Sequence, residues 1–195
     1  MIKAFKTVAL GLSLLLANVS VCYAQDLQKG EDAASKGDYA AALREFRPLA
    51  DQGHPRAQFE LGNMYRFGLG VPKDKSEAIK WFRLSADAGN VYAQSILGFM
   101  YADGEGVPKN DAEAVKWYRL AADQGQDLAQ YVLGRMYDNG EGVPKNAVQA
   151  YKWWNLAAAQ GHELAKKHRD LAAGAMTREQ IAEAQKLSAE WKQKK

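Results

Sequence analysis

A single cysteine, Cys22, occurs in 195 residues, with only three histidines and five prolines. One thiol cannot close a disulfide within the chain or supply a cysteine zinc cluster. Basic and acidic side chains number 26 and 23, so no excess charge of one sign draws the chain to nucleic acid. No apolar run reaches the roughly 20 residues that a membrane-spanning helix needs. These absences leave out disulfide scaffolds, proteins that span a membrane by helices, and basic nucleic-acid binders.

Apolar residues do cluster at the start. Lys3 and Lys6 form a basic leader, and Val8 to Ala17 is a short apolar run. Val21 and Ala24 stand at minus three and minus one of a cut after Ala24. The pattern is that of a cleavable secretory signal over 1–24. Val21 before Cys22 argues against a lipid on that cysteine, because lipid attachment calls for a small residue there. Cleavage removes Cys22, Lys3, Lys6 and no acid, leaving 24 basic against 23 acidic side chains. A periplasmic or secreted chain follows, with no stable membrane insertion after cleavage and no thiol chemistry.

The rest is a repeat. Blocks 54–89, 90–125 and 126–161 follow without a gap, and 17 of the 36 places are identical in all three. Leu-Gly recurs at 61–62, 97–98 and 133–134, followed by Tyr65, Tyr101 and Tyr137. Gly-x-Gly-Val-Pro-Lys recurs at 68–73, 104–109 and 140–145, then Trp81, Trp117 and Trp153. A fixed period of this length predicts a solenoid of stacked units.

Each block reads as two helices. Ala57, Leu61 and Tyr65 form one helical stripe in the first. Gly62, Gly98 and Gly134 sit inside that helix at a cost of about 1 kcal/mol each, which points to close packing. Asp74, Asn110 and Asn146 begin the second helix, with Glu77, Glu113 and Gln149 three places on, a capping-box spacing. Ala78, Trp81, Leu84 and Ala86 then make a wide apolar face. Gly89, Gly125 and Gly161 suit a left-handed residue just past the helix end. The tryptophans and tyrosines, identical at each repeat position, are expected in the core.

Residues 25–53 read as a shortened repeat, since Ala42, Phe46, Ala50 and Gly53 match Ala78, Phe82, Ala86 and Gly89 while Gly37-Asp38 replaces the long loop. Pro48 should kink the second helix of this unit or loosen its last turn. Residues 162–195 read as capping helices. Thr177 and Gln180 begin the last of these, and Ile181, Ala184, Leu187 and Trp191 form its stripe.

Ala-x-x-x-Leu-Gly-x-x-Tyr, Gly-x-Gly-Val, Ala-x-x-Trp and a final Ala-x-x-Gly together resemble the Sel-1-like repeat, a relative of the tetratricopeptide repeat with a longer loop. Asn110 and Asn146 stand where that family usually has Asp, and Asn caps equally well. The resemblance covers 54–161 closely and the flanks loosely. It implies an all-α fold, an α-α superhelix of stacked antiparallel helix pairs. It also implies a scaffold that binds another protein or peptide in the bacterial envelope or outside the cell.

By the same resemblance the first helices line a concave groove. Their variable stripe holds Arg56, Phe59, Asn63 and Arg66, then Tyr92, Ser95 and Phe99, then Leu128, Tyr131 and Arg135. Aromatics and arginines are enriched at interface hot spots. Asn63 and Arg135 would bond a peptide backbone, and Phe59, Phe99 and Tyr131 would hold apolar side chains.

Catalytic signatures are missing, and no cofactor or metal is expected. His54 and His162 follow a terminal glycine, where a solvated loop residue is expected, and His162 and His168 lack zinc-ligand spacing. The Gly-x-Gly pairs follow a helix and lack the third glycine of a dinucleotide fingerprint. Two other functions compete with the scaffold. An aromatic groove would also bind peptidoglycan or another carbohydrate. A cell-wall or β-lactam hydrolase is disfavoured, because exported relatives described that way carry two cysteines per repeat.

Overall fold

The computed structural model describes residues 25–193. The expected signal over 1–24 and its cut after Ala24 lie outside them. Among the described residues there are ten helices and no strand. They are α1 (25–35), α2 (Tyr39–Asp51), α3 (Pro55–Phe67), α4 (Lys75–Asp87) and α5 (Val91–Asp103). Then come α6 (Asp111–Asp123), α7 (Asp127–Asn139), α8 (Ala147–Ala159), α9 (Glu163–Ala173) and α10 (Arg178–Ala189). The chain forms two compact units, divided between Leu84 and Ser85 within α4.

Local chemistry sets the helix ends. The Asp74 carboxylate accepts from the Ser76 and Glu77 amides at 2.9 and 3.0 Å. Asn110 and Asn146 accept from Glu113 and Gln149, each at 3.0 Å. The reciprocal half of the box forms at Thr177 and Gln180. Glu77 and Glu113 turn instead to Lys80 and Lys116, each at 2.7 Å. The second helices end before Gly53, Gly89, Gly125 and Gly161, whose φ values lie between +88° and +91°. Pro48 lies inside α2, which runs on to Asp51.

The first helix of each block starts two residues ahead of its recurring alanine, at Pro55, Val91 and Asp127. His54 and His162 are helix N-caps, not solvated loop residues. Each Nδ1 accepts from a backbone amide, Ala57 at 3.4 Å and Ala165 at 3.2 Å. Asn90 holds the same place on α5.

In the first unit, Phe46, Leu49, Leu61, Met64 and Trp81 form the core with Ala42, Ala50 and Ala57. A Cβ on Gly30 would meet the Phe46 ring at 2.4 Å, and one on Gly62 would meet Phe82 at 2.7 Å. Gly30 lies 16 residues before its aromatic partner and Gly62 lies 20 before, and the shorter loop accounts for the difference. The Arg47 guanidinium donates to the Tyr65 hydroxyl at 3.3 Å.

In the second unit, Gly98 lies against Tyr118 and Gly134 against Trp154. Leu133, Met136, Trp153 and Tyr118 lead one core cluster, and Trp154 and Ala165 join in another. A glutamine ladder ties neighbouring helix pairs together. The Gln94 amide donates to the Ala86 carbonyl and that of Gln130 to Ala122, each at 3.1 Å. Their oxygens accept from Gln124 at 2.8 Å and Gln160 at 2.9 Å. Each glutamine thereby satisfies a carbonyl at the end of the preceding second helix. Arg119 donates to the Tyr137 hydroxyl.

Three side chains differ from the expected core. Leu84 is 50% exposed although it recurs in every block. On α10 the buried residues are Ala184 and Ser188, and Ile181 and Leu187 are only half-buried beside them.

Candidate partner-binding face

In the first unit the stripe on α3 is engaged with its own neighbours. Arg56 pairs with Glu31 at 3.1 Å and Glu60 at 2.8 Å, and lies 5.6 Å from the Phe59 ring centre. Phe59 packs tilted on Phe82 at 5.9 Å. Asn63 donates to Glu60 at 3.4 Å, and Arg66 lies over the Phe67 ring. Burial pushes the Glu60 carboxyl up, against the pull of Arg56 and Asn63.

In the second unit the face is more open. Tyr92 and Leu128 are 55% and 50% exposed in the first turns of α5 and α7, and Leu164 is 51% exposed at the matching place on α9. Tyr92 and Leu128 line a cleft of about 520 Å³ with Val91, Gln124, Gln126 and Gln160. Phe99 is also exposed and lines a second cleft of about 340 Å³ with Ala102, Tyr118, Val132 and Arg135. Asp103 and Glu141 also line it and, with Arg135, give the cleft both signs of charge.

Two members of the stripe lie elsewhere. Ser95 is buried and donates to Gln126, the N-cap of α7, so it turns away from the open face. Tyr131 is half-buried. Its ring stacks on His162 at 4.7 Å and tilts on His168 at 5.4 Å, while His168 meets Trp154 edge-on at 5.3 Å. Val132 and Leu164 were missed by the sequence reading. Counting 36 places on from Leu128 reaches Leu164, so that signal was available.

Burial pushes the Tyr118 hydroxyl up to about 12, with Arg135 pulling the other way. An unfolded tyrosine ionises near pH 10. Stability from keeping Tyr118 neutral is therefore complete below about pH 10 and is lost as pH rises from there through about 12. Tyr118→Phe should flatten the fall of Tm between about pH 10 and 12, measured by thermal unfolding beside the parent chain.

No group of three histidine, cysteine, aspartate or glutamate side chains is placed to hold a metal among the described residues. None of the described helices is long and apolar enough to cross a membrane.

The Sel1 repeat model matches residues 55–90, 91–126 and 127–162. A Sel1 repeat protein from Oxalobacter formigenes is 45% identical over 66% of this chain and 96% of its own, with a TM-score of 0.63. A protective antigen present in uropathogenic Escherichia coli strains, displaying an SLR fold, is 34% identical. It matches 91% of this chain with a TM-score of 0.76, and the match spans 40% of the antigen. Cysteine-rich protein B of Helicobacter pylori shares the fold at 21% identity and a TM-score of 0.54. No curated protein matches the chain.

The fold is thus an all-α helical-repeat solenoid, and the chain belongs to the Sel1 repeat family. Sel1 repeats generally mediate protein–protein interaction, and scaffolds built from them are generally non-catalytic.

Proposed function

We propose that the chain is an exported scaffold that binds another protein or peptide through the face of its first helices, in the bacterial envelope or outside the cell. The observation that supports this reading most is the row Tyr92, Leu128 and Leu164. Large apolar side chains stand about half exposed at one place on three successive first helices. Such a row matches the apolar anchors of a bound chain, and the adjoining clefts supply amide and guanidinium donors. The basic and apolar leader before Ala24 supports export.

The test compares the mature chain with a Tyr92→Ser, Leu128→Ser, Leu164→Ser variant as baits for envelope extract. A protein retained by the parent and lost from a variant of equal helicity supports the face. Equal retention by both overturns it, and retention of glycan fragments alone favours the carbohydrate reading. Fractionated cells should yield a chain beginning at Gln25; an uncut chain in the cytoplasm overturns export.

A further inference from the structure

The second helices carry an outward stripe that repeat packing does not explain. Lys80, Lys116 and Lys152 share one repeat position, and Leu84, Leu120 and Leu156 share the one four places on. Identity at a repeat position ordinarily reports burial. Yet Leu120 is 47% exposed, and on α6 Ala112, Lys116 and Leu120 are exposed along the whole stripe. A single exposed leucine is ordinary on a protein surface. Here the same place recurs, and the chain itself shows what covers it once.

On α8 the matching residues Val148, Lys152 and Leu156 are all half-buried, and α10 packs against that helix. The Ser188 hydroxyl lies 3.4 Å from the Lys152 carbonyl oxygen. Leu156 and Trp191 pack against the same core cluster. Ala184 and Ser188, four residues apart, are the buried small residues of α10, and small side chains let two helices approach closely. Beyond α10, Gln193 donates to the Gln124 carbonyl at 2.5 Å, at the C-cap of α6. The interface made by α10 and its tail therefore ends beside the helix whose stripe is open.

We propose that Ala112, Lys116 and Leu120 form a docking site for an amphipathic helix of a partner protein, seated on α6 as α10 is seated on α8. The helix it takes carries alanine or serine at positions four apart, flanked by leucine, isoleucine or tryptophan. This surface is separate from the first-helix face and does not rest on the reading of that face.

The probe is a labelled peptide of residues 177–193, titrated by fluorescence anisotropy with the full chain. Saturable binding is expected, weakened about tenfold or more by Leu120→Asp, because the variant loses burial of the exposed half of a leucine and also sets an unpaired charge against apolar surface. Leu120→Ala should act in the same direction without a new charge, and Leu171→Asp, at a position 75% exposed on α9, should leave binding unchanged. Circular dichroism should show parental helicity for each variant, since neither position is buried. Absence of saturable binding overturns the proposal. So does equal binding to the parent and both Leu120 variants, the result expected if the peptide merely displaces α10 from α8.

Discussion

Replacing Gly142 by alanine should cost the second unit about 3–5 kcal/mol. The φ at Gly142 is +67°, which an alanine adopts at a cost of about 1–2 kcal/mol. The remainder comes from overlap. A Cβ there would lie 2.2 Å from the Asp111 carbonyl oxygen and 2.7 Å from the Ala112 amide nitrogen. Both are backbone atoms in the first turn of α6, so relief requires moving a helix and not a side-chain tip. Gly161→Ala is the control, with φ at +91° and nothing within 4 Å of the added carbon. It should cost only the backbone share, about 1–2 kcal/mol. Urea unfolding of the two variants measures the difference. Equal losses would mean that the loop of the third repeat does not press on α6.

Gly134→Ala should lose about 2–3 kcal/mol, although alanine is the better helix former by about 1 kcal/mol. The added carbon would lie 2.5 Å from the Trp154 indole nitrogen. Trp154 is 2% exposed, and that nitrogen donates to the Tyr131 carbonyl at 3.2 Å. The ring has no room to withdraw, and shifting it breaks the bond. Removing the ring removes the conflict. Gly134→Ala combined with Trp154→Leu should therefore be less damaged than the two single losses added together, by a double-mutant cycle. Strict additivity would show that the glycine is not held there by the tryptophan.

These two glycines show how much could be read before any coordinates. Gly134 recurs inside a helix where it costs stability, and that cost by itself predicts a close neighbour. Which neighbour, and at what distance, depends on a residue 20 places away. The caps were legible for the same reason. Asp74, Asn110 and Asn146 act over two or three residues, so a linear pattern contains the whole interaction. His54 and His162 stood at the same repeat position as Asn90, and an imidazole Nδ1 accepts as an asparagine oxygen does. Their role is legible in the register, although solvation accounts for a histidine after a terminal glycine equally well.

The candidate face was less legible. Ser95 and Phe99 share one stripe, four residues apart, yet Ser95 turns into a bond with Gln126 while Phe99 stays open. Helical spacing says which residues share a direction. It does not say which neighbour closes over them.

What the sequence determined alone was the repeat, its two helices, their caps and loops, and the identity of most core residues. All of these arise from contacts within one period, and the period repeats them three times. Only the tertiary structure decided which members of identical positions face solvent. Leu120 and Leu156 have the same place in the repeat, but α10 packs against α8 and leaves the stripe on α6 open. Exposure is set by what crosses a helix from a distant part of the chain, and no local pattern contains that information.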